Sequence, residues 1–395
     1  MNVNVNEKTD KRISTIKNIM VILLIIAVLA VSKISGKVSI QILLSVFIFL
    51  LALPLVSAME SAKFPSWLAT VIAVLVIIAL VLFFVWFVFF TVDMLIQKVP
   101  DYAARINDLD GLLKSIAGKW IEIPEGASFF STLKIDWVGS VIMPTLRSVS
   151  SSAISLMSTL LLVVLMTVFL LGERHTIIPK LLNFVKNEEE DRLKGIWDII
   201  VKKVSKYITI KVLISLLTGA LFYVVCLIVH LDFAILWGVL AVVLNFIPTI
   251  GSIVITVLVT VMAIVQFAPS IGPILFVGIS AVVIQNVIGN FLDPRLSGNK
   301  LDLSPFIILA SLSIFGFIWG IVGMFLAVPL LSIVQLICAN IEETKPIAML
   351  LSGRSYRKQA RNRYDRRRNP KRTMKNLSKP GYDDYSDEIM FPDRK

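Results

Sequence analysis

The chain has 395 residues, 56% of them hydrophobic and only 17% charged, with a mean hydropathy of +0.84 and a net charge of +12. A soluble globular fold is excluded by that balance, and several apolar runs reach the about 20 residues that a bilayer span needs. The expected fold is all-α: a polytopic helical integral membrane protein of about eight spans, with interrupted or re-entrant helices in its C-terminal half.

The first run, near 18–35, follows Lys8, Lys11, Arg12 and Lys17 as a signal peptide would, but Val31-Ser32-Lys33-Ile34-Ser35-Gly36 offers no small-residue cleavage site. It reads as a retained span. Further spans are expected near 38–58 and 67–92, completing a three-span region over 1–92. In the segment 93–152, Val99, Ala103, Ile106, Leu109, Leu113, Ile116 and Trp120 recur at three- and four-residue steps after Pro100, which predicts an amphipathic extracytoplasmic helix. A fourth span covers 153–171. The segment 172–206 is basic, and Leu193, Ile196, Trp197, Ile200, Val204 and Ile208 mark one face of a helix running into span five.

The stretch 207–341 is the C-terminal membrane core, with apolar windows at 207–230, 233–267, 271–291 and 305–340. The tail, 342–395, is strongly basic through Arg354, Arg357, Arg361, Arg363, Arg366, Arg367 and Arg368, and is expected to be disordered. By the positive-inside rule both termini lie in the cytoplasm of a plasma-membrane protein, and the tail's expected partner is anionic lipid. No aromatic platform accompanies the cations, so no nucleic-acid partner is expected.

Cys226 and Cys338 sit in apolar runs and imply no disulfide framework, and His175 and His230 are too few for a zinc site. Neither a cofactor nor a metal is expected. No triad or paired-carboxylate arrangement marks the membrane region, so no catalytic residue is assigned and the protein is not read as an enzyme.

The chemistry concentrates at two interruptions. The window Asp232 to Phe267 is too long for a bilayer core of about 30 Å, and Pro248 and Gly251 place its break at Phe246 to Gly251, where Asn245 and Thr249 can bond freed backbone or face a solute. The second is polar: Gln285, Asn286 and Asn290 lead into Asp293-Pro294-Arg295, with Arg295 the obvious local partner for Asp293. The two breaks are expected to face one another across a solute path. Later, Gly316, Gly320 and Gly323 are expected to form a smooth packing strip on one helix face, and Pro329 marks a second weak point, for packing or gating.

Taken together, Phe246-Ile247-Pro248-Thr249-Ile250-Gly251, Gln285 through Asn290, Asp293-Pro294 with Gly298, Leu303 with Pro305, and Gly316 through Met324 running into Ala327-Val328-Pro329-Leu330 resemble the autoinducer-2 exporter (AI-2E) family, a permease family. The resemblance covers the second half by motif and the first half by layout. It implies a transporter without ATP-binding parts, a homo-oligomer with a pentamer as the suspected state, and export of a quorum-sensing signal of the autoinducer-2 type. Sodium(proton) antiport is the alternative it also implies. Family members often carry an acidic residue a few positions before the proline that matches Pro294; here Ile288 stands there and Asp293 directly precedes the proline. A small polar solute suits the amides at both breaks better than a cation does. A non-transporting membrane scaffold or lipid-binding protein is the third reading.

Truncation after Gly353 is expected to leave flux at the wild-type level and to weaken binding to anionic vesicles in a sedimentation assay. Loss of transport at normal membrane abundance would instead make the tail part of the pathway's control.

Overall fold

A computed structural model describes residues 27–117, 143–176, 187–297, 303–340 and 344–353, together with Met20 and Leu23. The elements are α1 (Gly36–Ser61), α2 (Ser66–Ala117), α3 (Met143–Gly172), α4 (Asn187–Ile228), α5 (Ala234–Leu244), α6 (Ile250–Phe267), α7 (Ile271–Val287), a π turn (Ile288–Leu292), α8 (Asp293–Ser297), α9 (Pro305–Asn340) and α10 (Lys345–Leu351). Among the described residues six helices are long and apolar enough to cross a membrane, and Met157–Gly172 and Ala234–Leu244 are shorter apolar helices. The protein is an all-α polytopic membrane protein.

Two features depart from expectation, and between them the first break takes one of its expected forms. The amphipathic segment is not a separate helix begun by Pro100: α2 runs without a stop for 52 residues, from the apolar span into its polar extension. The window Asp232 to Phe267 folds back at its expected break. α5 is 11 residues, about 16 Å of rise, so it reaches only about halfway through a bilayer core before α6 returns. Both roots of this hairpin lie together, because the Asp232 N–H donates to Gln266 Oε1 at 2.7 Å and Gln266 Nε2 donates to the His230 carbonyl at 2.9 Å.

The second departure is in α9, where Gly320 leaves the helix at φ 63°, ψ −142°, backbone that only glycine adopts readily. The chain reverses there. Phe315 lies against Gly323, Gly316 against Met324, and Leu312 packs with Ala327, as two antiparallel limbs require. The smooth strip on one helix face is therefore not formed; the three glycines sit around a fold-back. At the limbs' far end, an isolated bridge pairs Leu303 with Ser352, and buried Gln335 donates to Ser352 Oγ at 2.8 Å.

Polar contacts mark the two ends of the bundle. At one, Arg174 after α3 donates to Glu60 of α1 at 2.5 Å and to Thr70 of α2 at 2.6 Å. At the other, Tyr102 in the α2 extension donates to Asp232 at 2.6 Å, and Arg105 donates to the Gln266 carbonyl at 2.5 Å. The α5–α6 hairpin enters from this second end and the α9 fold-back from the first. Near the α9 reversal, Trp319 Nε1 donates to Ser39 Oγ at 3.0 Å and Lys33 lies over the Phe317 ring.

Two apolar clusters hold these parts. One joins α1, α2, α3, α4 and α9 through Phe49, Val56, Ala73, Leu171, Val204 and Leu326. The other joins α4 to α7 through Phe222, Trp237, Ile255, Val259, Val277 and Ala281.

Gly251 is where the first hairpin is tightest: a Cβ there would stand 1.7 Å from the Leu244 carbonyl oxygen. Gly251→Ala is expected to lower stability by about 1–3 kcal/mol or more, since rigid backbone must shift. Gly272→Ala, whose Cβ meets nothing within 4 Å, is the matched control with no loss. Thermal unfolding of both variants in detergent checks the difference.

Candidate functional site

The tip of the first hairpin is built by a proline and by a two-residue hydrogen bond that a helix would not make. Ile247 N–H donates to the Leu244 carbonyl at 2.9 Å and Gly251 N–H to Ile247 at 3.0 Å, bracketing Pro248, which has no N–H to offer. Between them Ile250 N–H reaches back two residues to the Pro248 carbonyl at 2.7 Å, with Thr249 at φ 64°, ψ −55°. This is the positive-φ γ-turn, a strained conformation, and a β-branched residue is unusual in it. Thr249 is exposed, whereas Asn245 is buried and donates through Nδ2 to Ser215 Oγ of α4 at 3.0 Å. The tip rests on the return limb of α9: Phe246 stacks on Phe325 with ring centroids 4.4 Å apart, and Ile247 packs with Leu312 and Ala327.

The second break is a widening of the helix rather than a stop. Asp293 N–H donates five residues back to Ile288, closing the π turn just before Pro294. Asp293 Oδ2 accepts from Lys211 Nζ of α4 at 3.0 Å, with the lysine side chain 8% exposed and the aspartate 27%. Arg295, the expected partner, is exposed, as is Pro294.

α4 thus brings parts of both breaks together. Lys211 and Ser215 are one helical turn apart on one face, the first holding Asp293 and the second Asn245. Gln285 Nε2 is buried and without a hydrogen-bond partner among the described residues. Asn286 and Asn290 are not brought to this face: both are exposed, Asn286 donating to the Val282 carbonyl at 2.8 Å and Asn290 to Asn286 Oδ1 at 3.0 Å. Gly320 lies at the fold-back and Pro329 is buried in the return limb. Gly298 falls outside the described residues. Among the described residues no group of three or more His, Cys, Asp or Glu converges.

The AI-2E family transporter profile matches residues 19–343. The chain belongs to the AI-2E transporter family. It is 34% identical over 321 residues to a protein of Borreliella burgdorferi, covering 81% of this chain and 86% of that one, and 30% identical over 325 residues to one of Haemophilus influenzae, covering 81% and 91%; both carry the name "Putative transport protein". It is also 27% identical over 328 residues to the AI-2 transport protein TqsA of Escherichia coli, covering 81% and 91%.

In this AI-2E transporter the residues that sequence reasoning missed are Lys211 and Ser215. Their signal was present: a lone lysine in the apolar window 207–230, followed one turn later by a serine on the same face. An ionisable side chain in a span is costly and calls for a named partner, which Asp293 supplies from a helix 82 residues away.

Breaking this pair on one side leaves a carboxylate in a span without its ammonium, whereas replacing both partners does not. Lys211→Met is expected to cost about 2–3 kcal/mol, below the full burial penalty because the carboxylate is partly exposed. Lys211→Met with Asp293→Leu should recover most of that loss. The comparison is read from melting temperatures of the purified single and double variants.

Proposed function

We propose that this AI-2E transporter exports a small, uncharged polar solute, most simply a quorum-sensing signal of the autoinducer-2 type, across the plasma membrane. One observation carries the reading. Two hairpins enter the bundle from opposite ends and meet inside it, and at their junction a buried amide, Asn245, is held by Ser215 beside non-helical backbone. Irregular backbone at membrane depth is tolerated where it is buried in protein or lines a wet cavity, and broken helices of this kind are the usual place of a transporter's solute site. The name of TqsA supplies the solute class.

In this reading the end bearing Glu60 and Arg174 is cytoplasmic, the end bearing Tyr102 and Asp232 is external, and both termini are inside. The basic loop 172–206 and the basic tail support that orientation. The working unit is a homo-oligomer, for which a pentamer is the state to test, and the tail contacts anionic lipid. Sodium(proton) antiport is the second reading, favoured by the one observation the first does not use, the Lys211–Asp293 pair within two apolar spans.

The decisive measurement is flux in liposomes holding purified protein, with the signal on one side and, separately, with sodium against a pH gradient. Asn245→Leu is expected to cut signal flux severalfold at unchanged assembly, because leucine suits the apolar surroundings but offers no hydrogen bond. Asp293→Asn should leave signal flux measurable and abolish antiport. Signal flux indistinguishable from empty liposomes would remove the export reading.

A further inference from the structure

The α5–α6 hairpin is held at its root by α2, a helix that otherwise packs in the other apolar cluster. Lys98, Tyr102 and Arg105 recur one turn apart on one face of α2, and their polar heads converge on the root. Tyr102 donates to the Asp232 carboxylate at 2.6 Å, Lys98 lies 3.7 Å from the same oxygen, and Arg105 donates to the Gln266 carbonyl at 2.5 Å. Asp232 is the node of the root, since its N–H is held by Gln266 and its carbonyl accepts from Trp237 Nε1 at 3.1 Å. Among the described residues, α2 enters the cluster of α4 to α7 only through Met94, Leu95 and Tyr102.

Three properties distinguish this contact from a fixed joint. Pro100 stands inside α2, two residues before Tyr102, and its missing N–H removes one helical hydrogen bond, so the rod bends most readily there. The charged groups are partly open to water, Lys98 being 43% and Asp232 30% exposed, and exposed ion pairs hold weakly. Phe233 beside them has φ 61°, a left-handed conformation that a bulky residue keeps only under surrounding contacts, one of which is the Tyr102 ring at 5.8 Å.

We propose that the α2 extension is a clasp on the hairpin root, gripping through Tyr102 and Arg105 and hinged at Pro100, and that its release opens the solute path at this end of the bundle. A bend at Pro100 carries Tyr102 and Arg105 away together, because both lie beyond it on one face. Lys98 lies before the hinge, so it stays with the rod and keeps its charge near Asp232 for reclosure. The tip remains fastened by Asn245 to Ser215, so the hairpin opens from its root. The inference names the moving part of the export reading and rests on that reading only for what the opening serves; the opening itself is measured without flux.

The two cysteines report the motion. Cys226 is fully buried in the cluster that Tyr102 and Phe233 share, and its carbonyl accepts from Leu231 N–H at 2.8 Å, so its thiol is reached only when the root opens. Cys338 lies in the return limb of α9 and serves as the internal control. Purified full-length protein in nanodiscs is exposed to N-ethylmaleimide, and labelling of each cysteine is followed by mass spectrometry. Tyr102→Phe, which keeps the ring and removes the bond to Asp232, is expected to raise the Cys226 rate about tenfold, equivalent to about 1.4 kcal/mol in the opening equilibrium. Arg105→Met should raise it severalfold, and Pro100→Ala, which restores the missing helical bond, should lower it below wild type. Cys338 should keep its wild-type rate in all three. Should Tyr102→Phe fail to fold, the opposite changes in Arg105→Met and Pro100→Ala carry the decision. Equal acceleration of both cysteines, an unchanged Cys226 rate in Tyr102→Phe and Arg105→Met, or a faster one in Pro100→Ala overturns the clasp. Absence of Cys226 labelling in every variant overturns it too, because the root then never opens; the liposome flux assay judges the export reading separately.

Discussion

Backbone that leaves the helix at membrane depth must find its hydrogen bonds inside the protein, and much of this architecture follows from that requirement. α5 stops partway, so its last carbonyls are capped by the N–H groups of Phe246 and Ile247, and the tip is then pressed against α9 and fastened to α4 by Asn245. The γ-turn at Thr249 is part of the same solution: it returns one N–H to one carbonyl within two residues, at the cost of strain that the surrounding contacts must hold. α4 is the element that makes this possible. It is 42 residues long and continuous, and it carries the fastening groups for both interrupted elements on adjacent turns.

The same constraint accounts for the second fold-back. A helix of 36 residues laid straight would exceed the bilayer by about 24 Å. Reversal at Gly320 keeps both limbs within the bundle and lets buried side chains of one limb pack on the other. Lengths that looked like overlong crossings are pairs of limbs, and each pair begins and ends on one side. The overall parity is preserved, because two expected crossings become hairpins and the count falls by two.

Much of this was legible in the amino acids. Pro248 and Gly251 located the first break because one removes a donor and the other permits close approach, both local properties. Asp293-Pro294 located the second for the same reason. The identity of Asp293's partner was not legible, because Arg295 and Lys211 compete for it and proximity in the chain favours the wrong one; only the packing of α4 on α7 decides. The glycine triplet misled because a four-and-three spacing is equally compatible with a packing face and with a reversal, and the choice depends on whether Gly320 takes a positive φ, which the packing of Phe315 and Trp319 against the return limb settles. Asn286 and Asn290 do share a face, as their spacing requires, but it is an exposed one.

The bond from Trp319 to Ser39 joins residues 280 apart in the chain. At synthesis rates of about 5–20 residues per second, the start of α1 waits roughly 14–56 s after it emerges before its partner exists. During that interval the single hydroxyl proton of Ser39 has a local acceptor, the Ser32 carbonyl at 2.7 Å being the nearest of three within reach, so it is not stranded in lipid while it waits. The late contact is therefore a closing stitch: the first-made part of the protein is held in a self-satisfied form until the last-made part arrives to complete it.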